Sequence, residues 1–336
     1  MILDGQSPQS ITAAAQALQR GELLGLPTET VYGLAADAGN EAAVARIFAA
    51  KGRPADHPLI VHVASAQEVM RFASHVPDFA HKLMDAFWPG PLTLILPRRP
   101  EVAAAAAGGQ NSVGLRCPSH PVAHAVLQAA QALGVYGVAA PSANLFGRVS
   151  PTTAAHVAGE FGDELLILDG GACDVGIEST IVDCTRAAPV LLRPGVITPQ
   201  QLSEACGVTV ITPTAPDADA PRASGTLESH YAPTAKVQLM SAADLQKAIN
   251  ACAKEPAHPA VAVWSRSPVH VPDTSPHQFK CQLMPASVHD CAHQLFAQLR
   301  SFDAQGVAHI WVESPPQTPE WDGVRDRLTR AATPTR

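Results

Sequence analysis

Four cations stand beside turn-forming residues: Lys51 and Arg53 in K-G-R-P, Arg116 in L-R-C-P and Arg193 in L-R-P-G. If K-G-R-P is an extended segment held open by Gly52 and Pro54, Lys51 and Arg53 project to one side, roughly 7 Å apart along the backbone. Such a pair would clamp a polyphosphate. For an isolated K-x-R, a solvated helix-end pair is the better reading. Arg116 and Arg193 change the balance, because each is expected at a strand end and each is followed closely by Pro. An Arg offers a planar fork that pairs with a carboxylate or phosphate through two parallel hydrogen bonds. Arg116 is therefore a candidate for holding a carboxylate.

Hydroxyl and amide side chains gather in the same short motifs. Thr28 and Thr30 lie in P-T-E-T-V-Y-G-L, Ser142 and Asn144 in A-P-S-A-N, Ser150 in S-P-T, and Ser179 and Thr180 in G-I-E-S-T. They supply neutral donors and acceptors suited to a ribose, phosphates or an amino acid. Singly, each reads as a helix cap or turn former, and Ser150 in particular could cap the helix after it. His62, alone on the apolar strand P-L-I-V-H-V, reads by itself as structural. So do the pairs His120/His124 and His289/His293, which lack the Glu of an H-E-x-x-H zinc site. The chain has neither a G-x-x-x-x-G-K-[ST] loop, nor a G-x-G-x-x-G after a strand, nor a G-x-S-x-G elbow. Catalysis by positioning and charge neutralisation fits better than a covalent intermediate.

The elements that must carry these residues follow from hydrophobic periodicity. Helices are expected over 10–20, 41–50, 66–75, 78–87, 122–133 and 152–160. Strands are expected over 22–26, 59–63, 92–96, 113–116, 137–140, 165–168, 180–183 and 190–192. Several strands follow one another directly, which predicts an α/β fold with a twisted mixed sheet. A Pro-, Ala- and Asp-rich stretch at 211–226 reads as a linker. Beyond it, strands at 236–240, 260–264 and 309–313 alternate with helices at 242–252 and 288–302, predicting a smaller βαβ domain with a parallel sheet.

The chain has 336 residues, 46% of them hydrophobic, with formal charge -7 and pI near 6.0. An acidic balance speaks against a main task of gripping a nucleic-acid backbone, although a local basic site remains open. Seven cysteines in no C-x-x-C pair suit a reducing compartment rather than a disulfide framework. No leader and no apolar run of about 18 residues is evident. A soluble cytoplasmic protein with no membrane association is expected.

In order, P-T-E-T-V-Y-G-L, K-G-R-P, P-L-I-V-H-V, W-P-G-P-L-T, L-R-C-P-S-H-P, A-P-S-A-N, S-P-T, G-I-E-S-T and L-L-R-P-G closely resemble the YrdC-type L-threonylcarbamoyladenylate synthases. The resemblance covers about Gln9 to Gly207. It extends to the longer members of that family through H-Y-A-P at His230–Pro233. Two departures lie late in the chain: A-S-G-T replaces A-P-G-M before H-Y-A-P, and D-R-L-T-R-A-A carries Asp326 where Asn is usual. A third is His57, where the family often has Asn.

The resemblance implies a YrdC-like catalytic domain over 1–207, a linker with the H-Y-A-P segment over 208–233, and a smaller Rossmann-like α/β domain over 234–336. It implies that L-threonine, bicarbonate or carbon dioxide, and ATP yield L-threonylcarbamoyl-AMP, pyrophosphate and water. A transferase partner would then modify tRNA to N6-threonylcarbamoyladenosine. The implied catalytic residues are Lys51, Arg53 and Arg116. The implied ATP set comprises Lys51, Arg53, His57, Ser112, Ser142, Asn144, Ser150, Arg193, His230 and Tyr231, with Mg²⁺ held mainly by the phosphates rather than by protein ligands. The implied threonine set is Thr30, His62, Arg116 and Ser179, with Arg116 on the carboxylate. Two alternatives stand beside this reading: an RNA-binding module without catalysis, and a carbamoyl transferase using carbamoyl phosphate.

Overall fold

The computed structural model describes residues 1–213, 220–226, 230–255, 259–273 and 279–333. The chain forms two compact units, one of Met1–Phe146 with Ser150–Thr226 and one of Gly147–Val149 with Leu227–Arg336. Parts of the expected linker, 214–219 and 227–229, lie outside the described residues.

The first unit begins with β1 (Ile2–Asp4), α1 (Pro8–Gln19), β2 (Leu24–Leu26), β3 (Gly33–Asp37), α2 (Glu41–Lys51) and β4 (Ile60–His62). It continues through α3 (Val69–Phe72), α4 (Asp78–Phe87), β5 (Leu92–Pro97), β6 (Ser112–Arg116), α5 (Pro121–Ala132) and β7 (Val138–Ala139). It closes with α6 (Ala154–Phe161), β8 (Leu166–Asp169), β9 (Thr180–Asp183), β10 (Val190–Arg193) and α7 (Pro199–Cys206). Among the described residues the strands form one sheet in the order β1-β8-β2-β3-β7-β4-β6-β5-β9-β10. Parallel pairs such as β4 with β6 mix with antiparallel pairs such as β5 with β6, as expected.

Strand alternation decides which side chains reach the core. Val61, Leu92, Leu94, Val113 and Leu115 pack in one apolar cluster with Ile47 of α2, Leu83 of α4 and Leu202 of α7. The other face of the β2-β3-β8 region packs under α1 and α5 through Leu24, Ala35, Leu168, Leu18 and Val126. Where β4, β6, β5 and β9 adjoin, the residues alternating with the core are Ile60 and His62, Ser112, Gly114 and Arg116, and Thr93 and Ile95. A strand buried on both faces reads as a continuous apolar run; polar residues at every second position mark a face reserved for something else.

Local chemistry sets the ends of the helices. Asn40 caps α2 by accepting from the Ala43 amide, and Gly52 stops it in the left-handed conformation at φ 62°. Lys51 is thus the last helical residue, so K-G-R-P is a helix end and not the expected extended segment. The helix expected over 66–75 shortens to a 3₁₀ turn and α3, because the Ser74 amide turns to the Pro97 carbonyl at the end of β5. Helix α6 is capped by Thr153, whose hydroxyl accepts from the His156 amide, so Ser150 is not the cap.

The second unit holds β11 (Lys236–Met240), α8 (Ala242–Cys252), β12 (Val261–Ser265), β13 (Phe279–Leu283), α9 (Val288–Ala304), β14 (His309–Glu313) and α10 (Asp322–Ala332). Its described strands form a parallel sheet in the order β11-β14-β12-β13, the smaller α/β unit the sequence predicts. Strand β13 escapes periodicity because it is an edge strand with its residues largely exposed. No helix among the described residues is long and apolar enough to cross a membrane.

Candidate active site

Twelve of the fourteen sequence-derived site residues belong to the first unit, on strands, at the end of α2 and in the loops beside them. Lys51 is buried, and its ammonium donates to the Ser142 carbonyl at 2.6 Å and to the Asn144 carbonyl. Burial, assisted by the nearby Arg53 charge, brings its pKa down to about 7. The A-P-S-A-N loop is held across from it, since the Phe146 amide donates to the Lys51 carbonyl at 2.9 Å. Phe146 in turn meets the Arg53 guanidinium, 5.7 Å from its ring centroid, and the edge of the His57 ring.

Arg53 and Arg193 converge on one residue. Arg53 donates to the Pro58 carbonyl at 3.0 Å and to the Ser224 hydroxyl at 3.3 Å, while Arg193 donates to the Ser224 carbonyl at 2.7 Å. Arg193 also grips the Ser179 carbonyl with two nitrogens, at 3.1 and 2.8 Å, and reaches the Ser179 hydroxyl at 3.2 Å. That hydroxyl pairs with Thr93 at 2.8 Å. Arg222 secures the same strap, donating to Asp56 at 3.2 Å and to the Gly108 carbonyl at 3.0 Å. Between the strap and the polar sheet face, Pro58, Thr93, Ser112, Gly114 and Ser224 leave about 20 Å³, room for roughly one water.

Arg116 occupies the other half of this face, next to His62 in the β4–β6 register. It donates to the Thr30 hydroxyl at 2.8 Å and the Gly90 carbonyl at 3.3 Å, and its third nitrogen lies 2.7 Å from Glu29. Both members of the Arg116–Glu29 pair are almost fully buried. Burial pushes the Glu29 carboxyl up, but the Arg116 guanidinium together with nearby backbone amides outweighs it and holds the group below the usual carboxylate range. Losing one partner of such a pair costs about 3–5 kcal/mol, because it strands the other charge. His62 is kept neutral, its pKa brought to about 3 by burial and by Arg116. Ser150 donates to Glu178 at 2.5 Å, both buried.

His57 is part-buried beside Arg53, and burial followed by that charge lowers its pKa. His230 and Tyr231 belong to the second unit, where their rings meet edge to face and Tyr231 packs on Phe296 and under the Arg327 guanidinium. A larger groove of about 780 Å³ in the first unit lies at the opposite end of β3 from Thr30, lined by Asp37, Arg71, Arg99 and Tyr136. None of the four motif cations borders it.

The chain is similar to known proteins along nearly its whole length. A family model described as "Telomere recombination" matches residues 16–195, and one described as "Threonylcarbamoyl-AMP synthase, C-terminal domain" matches 197–333. A threonylcarbamoyl-AMP synthase of Bacillus subtilis is 37% identical over 98% of this chain and 94% of its own. The chain belongs to the threonylcarbamoyl-AMP synthase family. The family's synthase of Pyrococcus abyssi is 44% identical over 68% of this chain and 66% of its own. A solved structure of P. abyssi Sua5 complexed with L-threonine superposes with a TM-score of 0.87 at 35% identity, covering 99% of this chain and 97% of that one.

Against the family motifs, sequence reasoning missed Glu29, Thr93, Glu178 and Ser224 as parts of the constellation. Glu29 and Glu178 stood inside recognised motifs, P-T-E-T and G-I-E-S-T, yet a buried carboxylate looks like a surface one until its partner is known. Thr93 was findable, since it interrupts the apolar run L-T-L-I-L on a core strand. Ser224 lies in the linker, with no local signal that it meets two arginines.

Proposed function

We propose that the chain is an L-threonylcarbamoyl-AMP synthase that consumes ATP, L-threonine and bicarbonate and releases pyrophosphate, serving N6-threonylcarbamoyladenosine formation in tRNA. The observation that carries this reading is the convergence of Arg53 and Arg193 on Ser224 beside buried Lys51, on a sheet face that also presents Arg116. The threonine amine forms a carbamate, whose oxygen attacks the ATP α-phosphorus in line as pyrophosphate leaves. Charge builds on phosphate oxygens, so three cations and aligned neutral donors are what the step requires. The nucleotide takes Lys51, Arg53, Arg193, Ser112, Ser142, Asn144 and Ser150, with His57 alongside; His230 and Tyr231 are assigned to it through the family motif.

Threonine takes Arg116 by its carboxylate, with Thr30, His62 and Ser179 around the side chain and amine. The cationic donor set suits phosphate oxygens rather than a bare metal, so Mg²⁺ fits as an ion carried by the phosphates, where it would neutralise charge on pyrophosphate. The labile product passes to a transferase acting on tRNA in the cytoplasm. The Arg222–Ser224 strap occupies the groups assigned to phosphate, so ATP binding displaces it, and the linker then shelters the intermediate from water.

The test is pyrophosphate release from ATP and Mg²⁺, omitting L-threonine and bicarbonate in turn. Release that needs both, with threonylcarbamoyl-AMP seen by mass spectrometry, is expected. Salt-dependent RNA binding by folded protein without turnover would replace this reading with the binding-module alternative. Arg116→Ala is expected to raise the threonine KM while ATP affinity stays near wild type. A matching loss of ATP affinity would show that Arg116 serves the nucleotide instead.

A further inference from the structure

Glu29 has no assigned part in the reaction, yet it is 4% exposed and faces Arg116 at 2.7 Å. The turn that carries it is tightly held. The Thr28 hydroxyl donates to the Val31 carbonyl at 2.6 Å and accepts from the Thr30 and Val31 amides, both at 3.3 Å. The Glu29 carbonyl accepts from the Val175 amide at 2.7 Å. One short turn therefore delivers two contacts to the guanidinium, the Thr30 hydroxyl and the Glu29 carboxylate.

A guanidinium has five N–H groups. In Arg116 the Nε–H goes to Gly90 and one Nη1 N–H to Thr30, while Nη2 lies 2.7 Å from a Glu29 oxygen as an ion pair without an aligned hydrogen bond, which leaves N–H groups on both terminal nitrogens. Two parallel donors are what a carboxylate takes from an arginine. A cation this deeply buried also needs a counter-charge whenever the amino acid is absent.

We propose that Glu29 is a positioning residue for Arg116, setting the guanidinium plane and balancing its charge so that one N–H on each terminal nitrogen is presented to the amino-acid carboxylate. This rests on the reading that Arg116 holds that carboxylate, and the experiment separates the two.

Binding of L-threonine and of L-threoninol, in which a hydroxymethyl group replaces the carboxylate, is measured by calorimetry on the full chain. Wild type, Glu29→Ala, Glu29→Gln, Arg116→Ala and the Glu29→Ala/Arg116→Ala double variant are compared, with ATP binding as the control. Wild type should prefer threonine. Glu29→Ala should cut that preference by on the order of tenfold, the size of one charge-assisted hydrogen bond, with ATP affinity within about twofold of wild type, as for independent sites. The double variant should lose no more preference than Arg116→Ala alone, because both act through one contact. Glu29→Gln keeps the shape without the charge, so it answers the question if the alanine variant does not fold, and its preference should also fall. An undiminished preference in Glu29→Gln or Glu29→Ala, with Arg116→Ala collapsing it, overturns the role of Glu29 and leaves that of Arg116 standing. Equal weakening of ATP and both amino ligands in Glu29→Ala marks general damage and likewise overturns it. An Arg116→Ala variant that keeps the preference removes the carboxylate reading itself, and this inference with it.

Discussion

Lys51 is the residue whose chemistry depends most on its surroundings. Enclosed by backbone carbonyls and next to Arg53, it loses its proton near pH 7 rather than near 10.5, because burial disfavours the ammonium. Phosphates restore the charge, so nucleotide binding above pH 7 takes up a proton. Below pH 7 the ammonium is already present and affinity should be flat. Above it, ATP affinity should fall with rising pH, with a limit of about tenfold per unit. Lys51→Arg should abolish the slope, since Arg stays charged. Calorimetry between pH 6 and 9, in buffers of different ionisation enthalpy, measures both the slope and the proton. A wild-type affinity that does not change across this range would mean that Lys51 does not meet the phosphates. His62, held neutral down to about pH 3, should contribute no titration in that window.

At the scale of elements, function rests on how strands end. Strands β6 and β10 finish on Arg116 and Arg193, and the turn after Arg193 is pressed onto β9. A Cβ added at Gly195 would stand 2.5 Å from the Thr180 hydroxyl and 2.6 Å from its amide nitrogen, distances that force the turn outward. Gly195→Ala should therefore cost about 1–3 kcal/mol of stability, the usual range for overpacking. It should also raise the ATP KM by moving Arg193, with the threonine KM less affected. Thermal unfolding and the two KM values together check this. A stable variant with unchanged kinetics would show that the turn has slack. The alternation on β4, β5 and β6 explains why the site lies on this face. Residues such as Val61, Leu94 and Leu115 are spent on the core, and those between them, His62, Thr93 and Arg116, are left to the cleft.

For the whole molecule, the first unit contains the cations and the strap that meets them, while the second carries His230 and Tyr231 in its own packing. A chain ending at residue 207 loses both the strap and the second unit. It should bind ATP more weakly or release the intermediate to hydrolysis, seen as ATP consumed without accumulation of threonylcarbamoyl-AMP. Full activity and affinity in that fragment would remove the shelter assigned to the linker. Much of this organisation was legible in the sequence, because periodicity and turn residues act locally: the mixed sheet, the smaller parallel sheet, the strand-end arginines and the family motifs all follow from neighbours within a few residues. Long-range contacts were not legible. That K-G-R-P closes a helix depended on Gly52 completing α2, and that Ser150 bonds Glu178 depended on segments 28 residues apart meeting. The partners of Arg116 come from two separate stretches of chain, and the shared partner of Arg53 and Arg193, Ser224, stands in a linker 171 residues from the first and more than 30 residues beyond the second at the end of β10. Sequence by itself determined which side chains could do chemistry and on which kind of element. Tertiary structure alone decided which charges were buried and which partner neutralised each, since desolvation and pairing depend on distances that no local pattern encodes.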